Sequence, residues 1–134
     1  MSATGARVAQ AARTYVGVKF RLHGREPETG LDCVGLVQTC LTVAESTLQL
    51  PSRYGLQTLD VTPLLDIAND RSILTVNGPV EAGDILLVKP SVTQHHLLVA
   101  LNRKSFVHAH AGLRRVVETP FPAPWPILRH WRLD

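Results

Sequence analysis

The chain has 134 residues, 45% of them hydrophobic and 19% charged, a balance that suits a globular domain and excludes a disordered or collagen-like chain. Lys plus Arg is 14 and Asp plus Glu is 11, a formal charge of +3. That surplus is too small to mark a nucleic-acid binder and suits, at most, contact with an anionic surface such as a cell wall. The length fits one core, read as a single domain over residues 1–134.

No run approaches the roughly 18 apolar residues needed to cross a membrane, so no membrane partner is expected. Arg7 and Arg13 interrupt the stretch that would serve as the apolar part of a secretory signal. Synthesis in the cytoplasm without a signal peptide is therefore expected. Cys33 and Cys40 are the two cysteines. Seven residues apart on a helix, they would be separated by about 10 Å along the axis, too far for a disulfide.

Residues 3–15 predict a first helix, with Val8, Ala11, Ala12 and Tyr15 on one face and Gly17 at its end. Tyr15 on that face reads as core. A Gly- and Pro-containing loop follows from 23 to 30. A second helix begins at Asp32, and Cys33, Leu36, Val37, Cys40, Leu41 and Ala44 trace its apolar stripe. Pro51 closes that region, and Thr62 with Pro63 predicts a short helix over 62–68.

From Ser72 the period becomes strand-like. Strands are predicted over 73–76, 84–88, 96–101, 106–110, 114–119 and 127–133, punctuated by turns such as Asn77-Gly78 and Ala111-Gly112. Residues 120–126 contain four prolines and predict an extended surface crossing outside any ladder. Helices first and strands afterwards give an α+β class, N-terminal helices packed on a C-terminal antiparallel sheet of five to six strands.

Cys33 follows an Asp suited to N-capping and so sits in the first turn of the second helix. Unpaired N–H groups and the positive end of the helix dipole favour a thiolate there, which suits a nucleophile. Gly35 would leave room for a substrate to approach the backbone, and the Cys33 N–H could help hold an oxyanion. The competing reading is a buried structural thiol; Cys40, in mid-stripe, reads as core. His96, Leu98 and Ala100 share one strand face, with His95 on the other, and Phe106, His108 and His110 share a face of the next strand. If residue 98 lies opposite 108, His96 and His108 are diagonal neighbours about 7 Å apart at Cβ. A thiol, an imidazole to take its proton and a second polar group to fix the tautomer form a Cys–His site with an orienter. The sequence lacks the Cys pairs or His-Glu-x-x-His of common zinc sites, so neither metal nor cofactor is expected. His110 reads equally as a solvent-facing strand residue, and His23 and His130 carry no argument beyond composition.

Gly17-Val18-Lys19-Phe20, then Gly30-Leu31-Asp32-Cys33-Val34-Gly35-Leu36-Val37, resembles the signature of NlpC-like cysteine peptidases. Glu81-Ala82-Gly83-Asp84-Ile85-Leu86, His96-Leu97-Leu98-Val99-Ala100-Leu101 and Phe106-Val107-His108-Ala109 resemble that family's later elements in the same order. The resemblance implies a papain-like fold with no cofactor and hydrolysis of peptidoglycan stem peptides, commonly after γ-D-glutamate. By position it makes Cys33 the nucleophile, His96 the general base and acid, and His108 the orienter. It places Asp32, Phe20 and Val34 near the substrate. Phe20 stands where the family usually has Tyr, Val34 where it has Ser, and Leu98 where it has a small residue. Compact size and the ending Trp125 to Arg132 resemble the subgroup encoded with phage and gene-transfer-agent tails, which would make tail proteins partners and a phage-like particle the destination.

Overall fold

The computed structural model describes residues 3–51 and 65–134. Helix α1 covers Ala3–Thr14 and helix α2 Cys33–Val43. Between them a hairpin of two short strands, β1 (Arg25–Glu26) and β2 (Gly30–Leu31), occupies the segment expected to be loop. Two-residue strands carry no alternation to read, and turn-forming residues dominate the stretch. Of the short helix expected over 62–68, residues 62–64 lie outside the described residues; a single 3-10 turn follows at Asp66–Asn69.

The remaining strands are β3 (Ile73–Thr75), β4 (Ile85–Ser91), β5 (Gln94–Ala100), β6 (Ser105–His110), β7 (Arg115–Pro120) and β8 (Ile127–Leu133). They form one antiparallel sheet in the order β3-β8-β4-β5-β6-β7. All six strands expected from the sequence are present, and the last is inserted between the first two. This is the α+β arrangement of helices on an antiparallel sheet.

Both faces of the sheet are covered, which explains the uninterrupted apolar runs in β4 and β5. On one face Val8, Ala12, Leu36, Val37, Cys40 and Leu41 pack with Leu87, Leu97, Val99, Val107 and Trp131. On the other, Leu86, Val88, Leu98 and Phe106 pack under Phe121, Ala123 and Trp125. The proline-rich crossing is therefore the cover of the second face, with only Pro120 in a ladder, opposite Ser105.

Buried Asp84 ties β8 to the turn before β4. Its carboxylate accepts from the Glu81 N–H (2.9 Å), His130 Nε2 (2.5 Å) and the Arg132 guanidinium (2.9 and 3.0 Å). Burying a carboxylate is tolerable only with such pairing. His130 thus has a structural role that composition did not reveal. Gly83 has φ +84°, and a Cβ there would fall 2.0 Å from the Gly5 carbonyl oxygen, so α1 docks against bare backbone.

Candidate active site

Asp32 caps α2 with extended backbone, its side chain accepting from the Gly35 N–H at 2.8 Å. The same carboxylate accepts from the His23 N–H at 2.9 Å and from the Arg25 guanidinium at 2.7 Å. Three donors therefore hold Asp32, which is 1% exposed. The space beside Gly35, expected to admit a substrate, is filled by the protein itself: a Cβ on Gly35 would lie 2.0 Å from the Gly24 carbonyl oxygen. Gly35 is required by this backbone contact with the segment leading into β1.

Cys33 takes the first position of α2, as expected, and is fully buried in the core between helices and sheet. Burial pushes its thiol up to about 12, and the Asp32 carboxylate adds to that. The backbones of Leu97 and Val34 and the Arg25 charge pull the other way without prevailing. Burial thus works against the thiolate expected at the helix N-terminus. Desolvation outweighs the dipole, whose effect is largest where solvent or a ligand leaves the end open. Cys40 is held at about 12 by burial alone.

The Leu97 backbone beside the sulfur belongs to β5, one residue beyond His96. Neighbouring residues of a strand face opposite ways, so Leu97 joins the helix-side core while His96 faces the far side. Among the described residues no hydrogen bond joins the Cys33 thiol to His96. The β5–β6 ladder is registered only at Val99↔Val107 and Ala100↔Phe106. The parts of the two strands that carry His96 and His110 lie beyond it.

Continued one pair beyond the ladder, that register sets residue 98 opposite 108 and makes His96 and His108 diagonal neighbours. His96 Nε2 lies 2.9 Å from His108 Nδ1. His108 Nε2 lies 3.0 Å from Thr119 Oγ1 on β7. Trp125 closes over both rings, its centroid 5.9 Å from His96 and 5.8 Å from His108, edge to face. Phe106 flanks His108 at 5.0 Å. Burial, then the rings of His108 and His110, push the His96 imidazole down to about 3. Burial and His110 bring His108 down to about 4. Both rings are neutral at pH 7, so one donates and the other accepts in the bond between them.

These groups border a cavity of about 610 Å³ walled by Phe20, Leu22, His95, His96, His108 and Trp125, among others. Of the residues singled out from sequence, Phe20, His96 and His108 reach this cavity. Cys33, Asp32 and Val34 do not line it, and each is at most 1% exposed. His110 stands at the rim, its Nδ1 accepting from the Leu113 N–H at 3.1 Å. Among the described residues no group of three or more His, Cys, Asp or Glu is placed to hold a metal ion. Arg25, Thr119 and Trp125 were not singled out as site residues. Thr119 was within reach of the same diagonal rule that paired the histidines.

Similar folds occur in solved structures at low identity. NlpC2 from Trichomonas vaginalis superposes with a TM-score of 0.70 at 20% identity, over 96% of this chain and 48% of that one. The NlpC/p60 domain of peptidoglycan hydrolase SagA gives 0.61 at 21%, over 87% and 88% of the two chains. Peptidoglycan hydrolase RipB from Mycobacterium tuberculosis gives 0.63 at 20%, over 98% and 65%. The chain spans about half the length of the two Trichomonas vaginalis proteins it matches. No curated protein sequence matches it. The sequence profile of the NlpC/P60 family matches residues 17–125, from the glycine after α1 to the tryptophan over the two imidazoles, and the chain belongs to that family.

Proposed function

We propose that the protein is a cysteine peptidase that hydrolyses peptide bonds in peptidoglycan stem peptides, with Cys33 as nucleophile, His96 as general base and acid, and His108 as orienter. The observation that carries this is the imidazole pair, His96 Nε2 bonded to His108 Nδ1 at 2.9 Å beside a cavity, with the sulfur behind Leu97. Family membership and the peptidoglycan hydrolases SagA and RipB among the similar structures support the substrate class.

His96 Nε2 is engaged with His108, so Nδ1 is the atom left for proton transfer. As the sulfur attacks the carbonyl carbon, the thiol proton passes to His96 Nδ1, which avoids a standing thiolate. The Cys33 N–H at the helix N-terminus faces the developing oxyanion. His96 then protonates the leaving amine, and a thioester remains. Water, deprotonated by the same nitrogen, releases the acid and restores the thiol. The sulfur is fully buried in the helix-side core and His96 faces the other side of the sheet, so productive binding must both uncover the sulfur and bring it to His96. We assign the bond after γ-D-glutamate as the scissile one, and a phage-like or gene-transfer-agent tail as the setting. Phe20 on the cavity wall, and Asp32 and Val34 beside Cys33, are the residues proposed to set the substrate register.

The buried thiol also favours a second reading, a structural tail component that keeps the fold without the activity. Incubating wild type and Cys33→Ser with purified muropeptides, followed by mass spectrometry, separates the two. Release of fragments by wild type alone supports the peptidase, and the fragment masses identify the bond. Absence of products from both proteins overturns it.

A further inference from the structure

Three polar side chains run in a line across three strands: His96 on β5, His108 on β6 and Thr119 on β7. Val117 is the partner of His108 in the β6–β7 register, so Thr119 is its diagonal neighbour on the same face. His96 stands in the same relation on the opposite side when the β5–β6 register is continued beyond its paired residues, and the two rings are in contact. The contacts are 2.9 Å and 3.0 Å, and His108 is 2% exposed. A threonine in a strand needs no functional reason. A hydroxyl on the second nitrogen of a buried imidazole does have a consequence, because it bears on which nitrogen carries the proton.

We infer that Thr119 is a positioning residue whose hydroxyl accepts the His108 Nε2–H, keeping Nδ1 an acceptor for His96 Nε2–H and His96 Nδ1 free for the thiol proton. The inference rests on the proposed hydrolase mechanism. The opposite arrangement, with Thr119 donating to Nε2, would make His108 Nδ1 a donor. His96 would then accept at Nε2 and carry its own proton on Nδ1, the nitrogen that has to receive one. A protonated His96 likewise needs an acceptor opposite its Nε2–H, which His108 supplies only while its proton rests on the Thr119 side. Removing the hydroxyl leaves a buried N–H without a partner, which favours moving that proton to Nδ1.

The test compares wild type, Thr119→Val and Thr119→Ser by ¹⁵N NMR of the histidine rings, alongside muropeptide hydrolysis. Wild type and Thr119→Ser should hold His108 as the Nε2–H tautomer, while Thr119→Val shifts it to Nδ1–H. Activity should fall about 10–100-fold in Thr119→Val, the usual cost of losing such a supporting partner, and be largely retained in Thr119→Ser. If Thr119→Val does not fold, Thr119→Ala gives the same readout. A His108 tautomer unchanged in the apolar variant, or Nδ1–H already in wild type, overturns the assignment. The tautomers are read without substrate. An inactive wild type in which Thr119→Val still moves the proton would uphold the relay and overturn the hydrolase.

Discussion

Acidification from pH 7 to pH 5 should destabilise the protein through His96. Its imidazole is held at about 3 by burial and by the neighbouring rings, against about 6.5 in an unfolded chain. The folded value is the lower one, so below pH 6.5 the unfolded chain binds the extra proton. Stability then falls as the pH drops, until the folded group titrates too. At pH 5 the unfolded imidazole is about 1.5 pH units below its pKa, worth about 2 kcal/mol at 1.36 kcal/mol per unit. Other groups add their own pH dependence, so the informative quantity is a difference between proteins. Urea unfolding followed by tryptophan fluorescence, at both pH values, should show wild type losing about 2 kcal/mol more than His96→Gln. His108 is held down by burial and His110, so its share should be the same in both proteins. Equal losses, within about 0.5 kcal/mol, would show that His96 is not held neutral by its surroundings.

Neither thiol should react readily in the free protein. Iodoacetamide at pH 7.5 is expected to label the urea-unfolded chain quickly and both native cysteines slowly, with a bound substrate mimic accelerating Cys33 alone. Fast native labelling of Cys33 would contradict its burial. Asp32→Ala removes the cap, leaves the His23 N–H without its acceptor and leaves Arg25 with only the Gly24 carbonyl, so chemical denaturation should report a loss of about 2–3 kcal/mol. In Gly35→Ala, Ala gains about 1 kcal/mol in a helix interior, but its Cβ strikes the Gly24 carbonyl oxygen. The steric term should win by about 2 kcal/mol in the same assay, and a stabilised variant would refute the contact.

The parts of the site visible in the sequence were those that follow from periodicity. The stripe from Cys33 to Ala44 sets α2, and alternation in β5 and β6 sets the faces of His96 and His108. The sequence leaves open the register that makes them diagonal neighbours, and the observed β5–β6 pairing runs in that register. What escaped depends on tertiary contacts. A helix N-terminus looks electropositive in isolation, and only the packed β1–β2 hairpin and β5 show that Cys33 is buried, which raises its thiol. Arg25 meets Asp32 across a hairpin too short to have a pattern. Trp125 reads as an isolated aromatic among prolines until the crossing is seen to lie over the two rings. His130 needed a partner 46 positions away, which no local window contains.

The seat of β8 between β3 and β4 governs when this architecture can come into being. As the polypeptide leaves the ribosome, β4 to β7 can zip together in order, each hairpin beside the last. β3 stays an orphan, and β4 keeps a raw hydrogen-bonding edge until residues 127–133 emerge. Only then do His130 and Arg132 reach the waiting carboxylate. A shortened translation product lacking this strand would be poorly folded and prone to stick to its neighbours.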